Sequence, residues 1–374
     1  MIAYIDPQSY RNLSIYDYNL LSHMDAEIHY FCSKHYDYLD MPKNICKHSA
    51  FRYNKLNNSV LKALSYIWSY IVIAFWAIRK KPDLIHVQWL RLERFDTLML
   101  GVIKKFSKSK IVYTAHNILP HNSGEKYAGV YKKFYNFLDG IIVHTQDTKD
   151  KIAEKFEISE DKIHVIPHGL LKLNVDEDEY ERLLPEFKRK YNLDGKIVFT
   201  SLGEQSPYKG VDVISQVWSG TPELSTNSEC RLLIVGKCKE IAFGNLASVE
   251  NVVLDDRRIS DEEFLFLLRH TDVYLLTYRT ISQSGAMLTA LTEKVPILVT
   301  DVGGLSEPLK IADIGWSIDE LTEDKLREKL LEILDNREEI ERIKNDVAEW
   351  QKIHQAYDWK SISRQTLGVY DGLI

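Results

Sequence analysis

Ten short apolar runs recur along the chain, and each leads into a longer segment of helical character. This alternation limits the possible folds more than any single motif does. The first five runs occupy residues 2–5, 84–87, 110–114, 140–143 and 163–166, and the second five occupy 196–201, 231–235, 251–254, 273–276 and 296–300. Runs that are apolar without alternation suit strands buried on both faces, and helices between them make the sheet parallel. The 374 residues exceed what one core usually holds. The expectation is an α/β protein of two Rossmann-like domains, joined within 169–194. That join begins with the acidic stretch Asp176-Glu177-Asp178-Glu179 and turns helical through 186–191.

Composition narrows the class. Hydrophobic residues make up 45% and charged residues 27%, the balance of a globular chain. Cys32, Cys46, Cys230 and Cys238 are scattered, with no metal-ribbon or CxxC spacing, so a reduced, cytoplasmic protein is expected. The opening MIAYIDPQSY lacks the basic-then-apolar layout of a signal peptide and reads as a first strand. Charge is uneven. Residues 1–170 carry 23 Lys and Arg against 17 Asp and Glu, whereas 171–374 carry 25 against 37. Basic clusters in the first half include Arg79-Lys80-Lys81, Lys104-Lys105 with Lys108 and Lys110, and Lys132-Lys133. They suit solvated helix ends, while the asymmetry between halves suits attraction to anionic lipid or phosphorylated substrate. The most hydrophobic segment, 60–78, approaches the length of a membrane span. A crossover helix packed on a sheet is the expected form, with peripheral membrane contact left open. No nucleic-acid partner is expected.

In open parallel sheets ligands bind beyond the carboxyl ends of strands, so the residues after each run are the candidates. His116 follows the run at 110–114; an imidazole there can bond a sugar hydroxyl or a developing charge, or can be a strand-end polar residue with no role. Gly203 through Lys209-Gly210 follows the run at 196–201: glycine admits a ligand close to the backbone, and a lysine can meet a diphosphate. Residues 277–287 follow the run at 273–276 and open a helix at Ser282-Gln283-Ser284-Gly285-Ala286. Its free N–H groups suit phosphate, and Ser282 or Ser284 suits an N-cap. There is no HExxH, no DxD pair after a strand, no Cys/His quartet, no GxSxG elbow and no GxGxxG fingerprint.

Taken in order, these segments resemble the retaining GT-B glycosyltransferases, closest to glycosyltransferase family 4. The matching pieces are Pro82-Asp83-Leu84-Ile85-His86-Val87, Thr114-Ala115-His116-Asn117, Leu138-Asp139-Gly140-Ile141-Ile142-Val143, and Val165-Ile166-Pro167-His168-Gly169. Further along come Lys209-Gly210-Val211-Asp212, Leu233-Ile234-Val235-Gly236, and Val295-Pro296 with Gly303-Gly304 and Glu307. The resemblance implies an acceptor domain at 1–168, a donor domain at 169–350, and a closing helix within 351–374 that packs back on the first domain through Trp359 and Tyr370. It implies a UDP- or GDP-sugar as donor substrate, a lipid-linked or glycan acceptor, no metal and no cofactor. His116 and Lys209 take the catalytic roles. Gly203, Lys209, Gly236, Tyr278, Gln283, Ser284, Gly285, Ala286 and Thr289 bind the donor, and Arg11, Asn117 and His121 bind the acceptor. The work would be done in the cytoplasm, at the inner face of the cell membrane. The sequence departs from the family at two points. Ile281 and Thr289 stand where a pair of glutamates is usual, and Glu204 and Ser206 stand near the usual arginine. A catalytically silent partner subunit and a sugar-nucleotide epimerase are the rival readings.

Overall fold

The computed structural model describes residues 1–10, 13–36, 38, 40–119, 124–241 and 243–374. They form two compact units, Met1–Gly169 with Tyr357–Ile374, and Leu170–Ala356.

The first unit is a seven-stranded parallel sheet. Its strands are β1 (Ile2–Ile5), β2 (Ile28–Ser33), β3 (Ile45–Phe51), β4 (Leu84–Val87), β5 (Lys110–Thr114), β6 (Gly140–Val143) and β7 (Ile163–Val165), in the order β3-β2-β1-β4-β5-β6-β7. Registers such as Ile2 with Leu84 and Val112 with Gly140 keep the strand ends level. The direction of winding reverses between β1 and β4, which puts the usual ligand-binding crevice at their carboxyl ends. One face carries a core built around Ile85, Ile111, Tyr135 and Val143, and the other a core around Tyr4, Leu20, Ile142 and Trp359.

The chain returns to this second core at its end. Helix Trp359–Leu373 is capped by Asp358, whose carboxylate accepts from Ser361 N at 2.9 Å. Ser363 Oγ donates to Leu20 O at 2.7 Å, and the Tyr370 hydroxyl lies 2.5 Å from His86 Nδ1. The preceding helix, Val347–Ala356, buries Trp350 and Ile353 in the second unit, so the chain leaves that unit only at Tyr357.

The second unit is a six-stranded parallel sheet of β8 (Ile197–Leu202), β9 (Cys230–Val235), β10 (Val252–Asp255), β11 (Val273–Leu276), β12 (Ile297–Thr300) and β13 (Gly315–Ile318), ordered β10-β9-β8-β11-β12-β13. Phe199, Trp218, Leu232 and Leu275 lie in its core. The acidic stretch at its start is part of a helix. Asp176 caps Glu177–Tyr191 by accepting from Glu179 N at 3.1 Å, and Lys188-Arg189-Lys190 close it. Acids in a first turn and bases in a last turn both complement the helix dipole.

Three strands lie outside the ten apolar runs. The edge strands β3 (ICKHSAF) and β13 (GWSI) bury one face or less, so their sequences carry polar residues. Strand β2 (IHYFCS) is interrupted by His29, which bonds to His48 of β3. The apolar segment at 60–78 forms helix Ser59–Lys80, capped by Asn58, which accepts from Val60 N and Leu61 N. It is long and apolar enough to cross a membrane by length and composition, yet Tyr66, Tyr70, Ile73, Ala74 and Ala77 are buried in the first unit. The Tyr66 hydroxyl donates to Asp96 Oδ2 at 2.8 Å.

Candidate donor site and a histidine cluster

In the second unit the turn after β8, the loop after β11 and the following helix are tied together. Gly210 has φ +69°, and a side chain there would meet Thr277 O at 2.2 Å; glycine is required for the turn to lie against the loop. Gly236 has φ +139° and packs backbone to backbone on Gly203, where a Cβ would lie 1.8 Å from Gly203 O. Thr277 Oγ1 donates to Lys209 O at 3.2 Å, and Arg279 N donates to Tyr208 O at 2.7 Å. Arg279 then grips Asp212 through two bonds of 2.8 and 2.7 Å and also reaches Pro207 O.

Lys209 is the candidate anion-binding side chain of this assembly. Its side chain is 7% exposed, and its ammonium donates to Leu202 O at 3.1 Å and lies 5.7 Å from the centre of the Tyr278 ring. Burial pulls its pKa down to about 8, with Glu204 acting in the opposite direction. A buried ammonium held by a carbonyl and a ring face keeps donor capacity for an anion. The Tyr278 hydroxyl lies 3.3 Å from Ser284 Oγ, which accepts from Met287 N and caps helix Gly285–Thr292. The N–H groups of Gly285 and Ala286 start that helix and have no carbonyl within it to bond. Gly285 is exposed and Ala286 partly so. Gly203, Lys209, Gly236, Tyr278, Ser284, Gly285 and Ala286 are therefore parts of one assembly. Gln283 is half-buried in the loop before the helix.

In the first unit His116 lies in a cluster of imidazoles. Its Nδ1 is 3.1 Å from His144 Nε2, its Nε2 is 2.7 Å from Gln88 Oε1, and Trp89 stacks on its ring at 4.6 Å. His144 Nδ1 faces Ile166 O at 3.0 Å. Burial is the main cause that lowers the pKa values, to about 4 for His144, about 3 for His86 and His168, and well below the usual value for His116. Neutral rings fix the tautomers. His144 donates from Nδ1 to the carbonyl, so its Nε2 accepts from His116 Nδ1–H. His116 Nε2 is then bare, and Gln88 must present its NH₂ there, its amide turned end for end. Both ring nitrogens of His116 are thus engaged within the unit. Asn117 is half-buried beside it; Arg11 and His121 lie outside the described residues.

Cys46, His29 and His48 bring three ligand atoms within 4.8 Å of one another across β2 and β3. The two rings are nearly coplanar, at 14°, and joined nitrogen to nitrogen at 2.9 Å, a hydrogen bond rather than an open chelate. This trio is in the first unit.

Family models match each unit in turn. Residues 19–170 fit glycosyltransferase family 4, and residues 185–350 fit the glycosyl transferases group 1. The chain is a GT-B glycosyltransferase resembling family 4. A curated relative, an uncharacterized glycosyltransferase of Methanocaldococcus jannaschii, is 24% identical over 232 residues, which is 59% of this chain and 56% of that protein. The match thus spans little more than half the relative's length. Solved structures share the fold over the whole chain. Sucrose-phosphate synthase from Thermosynechococcus elongatus has a TM-score of 0.70 at 13% identity, covering 100% of this chain and 98% of its own. Anabaena HepE in complex with UDP has 0.69 at 14%, covering 99% of each chain. A glycosyltransferase from Rickettsia africae has 0.68 at 16%, covering 100% and 98%.

Within this glycosyltransferase, Thr289 turns its hydroxyl back to Gly285 O at 3.0 Å, and Ile281 is half-buried with its carbonyl against Gly303. Sequence reasoning missed Gln88, His144 and the Arg279–Asp212 pair. Gln88 and His144 directly follow β4 and β6, so the strand-end rule that found His116 finds them too. Nothing in the sequence joins Asp212 to Arg279.

Proposed function

We propose that this glycosyltransferase moves a sugar from a nucleoside diphosphate sugar to a lipid-linked or glycan acceptor. The role is in cell-surface polysaccharide synthesis, at the cytoplasmic face of the cell membrane. The observation that carries the donor half is Lys209, a buried ammonium beside an open helix N-terminus in the second unit. That arrangement suits a diphosphate, whose charge the ammonium meets and whose oxygens the N–H groups of Gly285 and Ala286 meet. HepE, of the same fold, was solved in complex with UDP and glucose, which supports a UDP-sugar here. Fixed positive charge of this kind can stabilise the leaving diphosphate without a divalent ion, and retention of configuration is the proposed outcome. His116 is proposed to meet the transferring sugar, and Arg11, Asn117 and His121 the acceptor. To do so His116 must release Gln88 or His144.

The test is calorimetry with UDP, GDP and their sugars on the purified chain, followed by product analysis with a lipid-linked acceptor. Failure of every nucleotide to bind overturns the proposal. Two observations favour a second reading, a catalytically silent partner subunit: the engaged ring of His116 and the inward-turned hydroxyl of Thr289. Nucleotide binding without donor hydrolysis or transfer would decide for it.

A further inference from the structure

Helix Ser59–Lys80 divides its side chains sharply by face. At about 100° per residue, Leu61, Leu64, Trp68, Ile71, Val72 and Phe75 fall within an arc of about 100°. All six are exposed, Trp68 by 66% and Phe75 by 68%. The opposite arc holds Tyr66, Tyr70, Ile73, Ala74 and Ala77, all buried, and Ser69, whose hydroxyl donates to Ala50 O at 2.8 Å. A monomeric soluble protein rarely leaves so many large apolar side chains together in water.

Spanning a membrane is incompatible with this division. A spanning helix would have to pull its tyrosine face out of the core and strand the carboxyl of Asp96, which Tyr66 holds. A helix that keeps one face on its own domain can only lie along an interface. Charge selects the partner. The helix has no Asp or Glu; Lys62 lies near its start, and Arg79, Lys80 and Lys81 close it. The neighbouring helix Glu93–Ser107 adds exposed Leu98 and Phe106, with Lys105 and Lys108 exposed at its end. A second copy of this helix packed on the face would bring further cations and no acid to meet them, whereas anionic headgroups would neutralise the basic end.

We infer that helix Ser59–Lys80 docks flat into the interface of an anionic bilayer, its tryptophan and phenylalanine below the headgroups and its basic end among them. This deepens, and rests on, the reading of a membrane-borne acceptor.

Flotation of the full chain with phosphatidylglycerol-containing vesicles, and with phosphatidylcholine alone, tests it. Wild type should float with the anionic vesicles. Trp68→Glu with Phe75→Glu should weaken binding about 100-fold or more at unchanged melting temperature, since both residues are exposed. Arg79→Glu with Lys80→Glu should abolish the preference for anionic lipid. Brominated lipids should quench wild-type fluorescence at shallow depth, and Trp68→Phe should remove that quenching. Donor hydrolysis without vesicles should be unchanged in every variant. Undiminished flotation of the Trp68/Phe75 variant would overturn the inference. So would resistance to alkaline extraction, the mark of a span, or a wild-type dimer that this variant splits. Absence of flotation with transfer to a detergent-solubilised acceptor would overturn the docking alone. Flotation without hydrolysis or transfer would uphold the docking and refute the transfer reading.

Discussion

Lys209 and His116 both follow a parallel strand at its carboxyl end, and their surroundings are opposite. Around Lys209 the chain provides a carbonyl and a ring face for an ammonium, in an assembly that includes helix-start N–H groups with no carbonyl within their own helix to bond. Around His116 every ring nitrogen has a partner, and each partner has its own: Gln88 meets Thr114 and His86, His144 meets a carbonyl, and His86 meets Tyr370. The first arrangement stores unmet bonding capacity, as a binding site does. The second stores none, so a role in chemistry must come through exchange of one hydrogen bond for another.

The largest expected effect breaks the comparison on the histidine side. His116→Ala should lower turnover about 10²-fold or more while nucleotide affinity stays near wild type. If the cluster is merely structural, the melting temperature falls and the rate per folded molecule does not. Lys209→Ala should weaken nucleoside diphosphate binding by about 1.5–3 kcal/mol, the range for a hydrogen bond to a charged group; unchanged affinity in calorimetry on the folded variant removes its role. Acidity sharpens the contrast. In the proposed site it is the charged lysine that meets the diphosphate, and burial lowers its pKa to about 8. Affinity for a sugar nucleotide should therefore stay level below that pH and fall as pH rises through it, approaching tenfold per unit. The buried imidazoles titrate well below that range and should add nothing there. A flat profile from pH 7 to 10 would contradict the lysine's place in the site. Smallest of all, excess EDTA should leave turnover unchanged, and a loss that magnesium or manganese restores would count against a metal-free site.

Much of the Lys209 assembly, the candidate donor site, was legible because its parts obey a local rule. Strands β8 and β11 are buried on both faces, so their sequences announce themselves, and the residues just beyond them are easily found. Ser284 was legible as a cap for the same reason. What could not be read was anything made by pairing distant segments. Strand β3 looks polar because it borders solvent, and the His29–His48 contact exists only once β2 and β3 lie side by side. The ion pair between Asp212 and Arg279 joins residues from different loops. Helix Ser59–Lys80 was legible as apolar and helical, but periodicity alone does not say that one of its apolar faces is left uncovered. The acidic stretch at 176–179 looked like part of a join, when its charge in fact belongs to a helix start. Among the acceptor candidates, Arg11 and His121 lie outside the described residues.

The return of helix Trp359–Leu373 to the first unit has a consequence for the order of synthesis. The ribosome releases Met1–Gly169 early, but the side chains that seal one face of its sheet, Trp359, Ile362 and Tyr370, arrive only after the whole second unit has emerged. Until then the core around Tyr4, Leu20 and Ile142 is incomplete and His86 lacks its hydroxyl partner. The second unit, made from one uninterrupted stretch of chain, can close first. The nascent protein thus holds an unfinished first unit while the whole second unit is made, and the residues that latch it come only after Ala356.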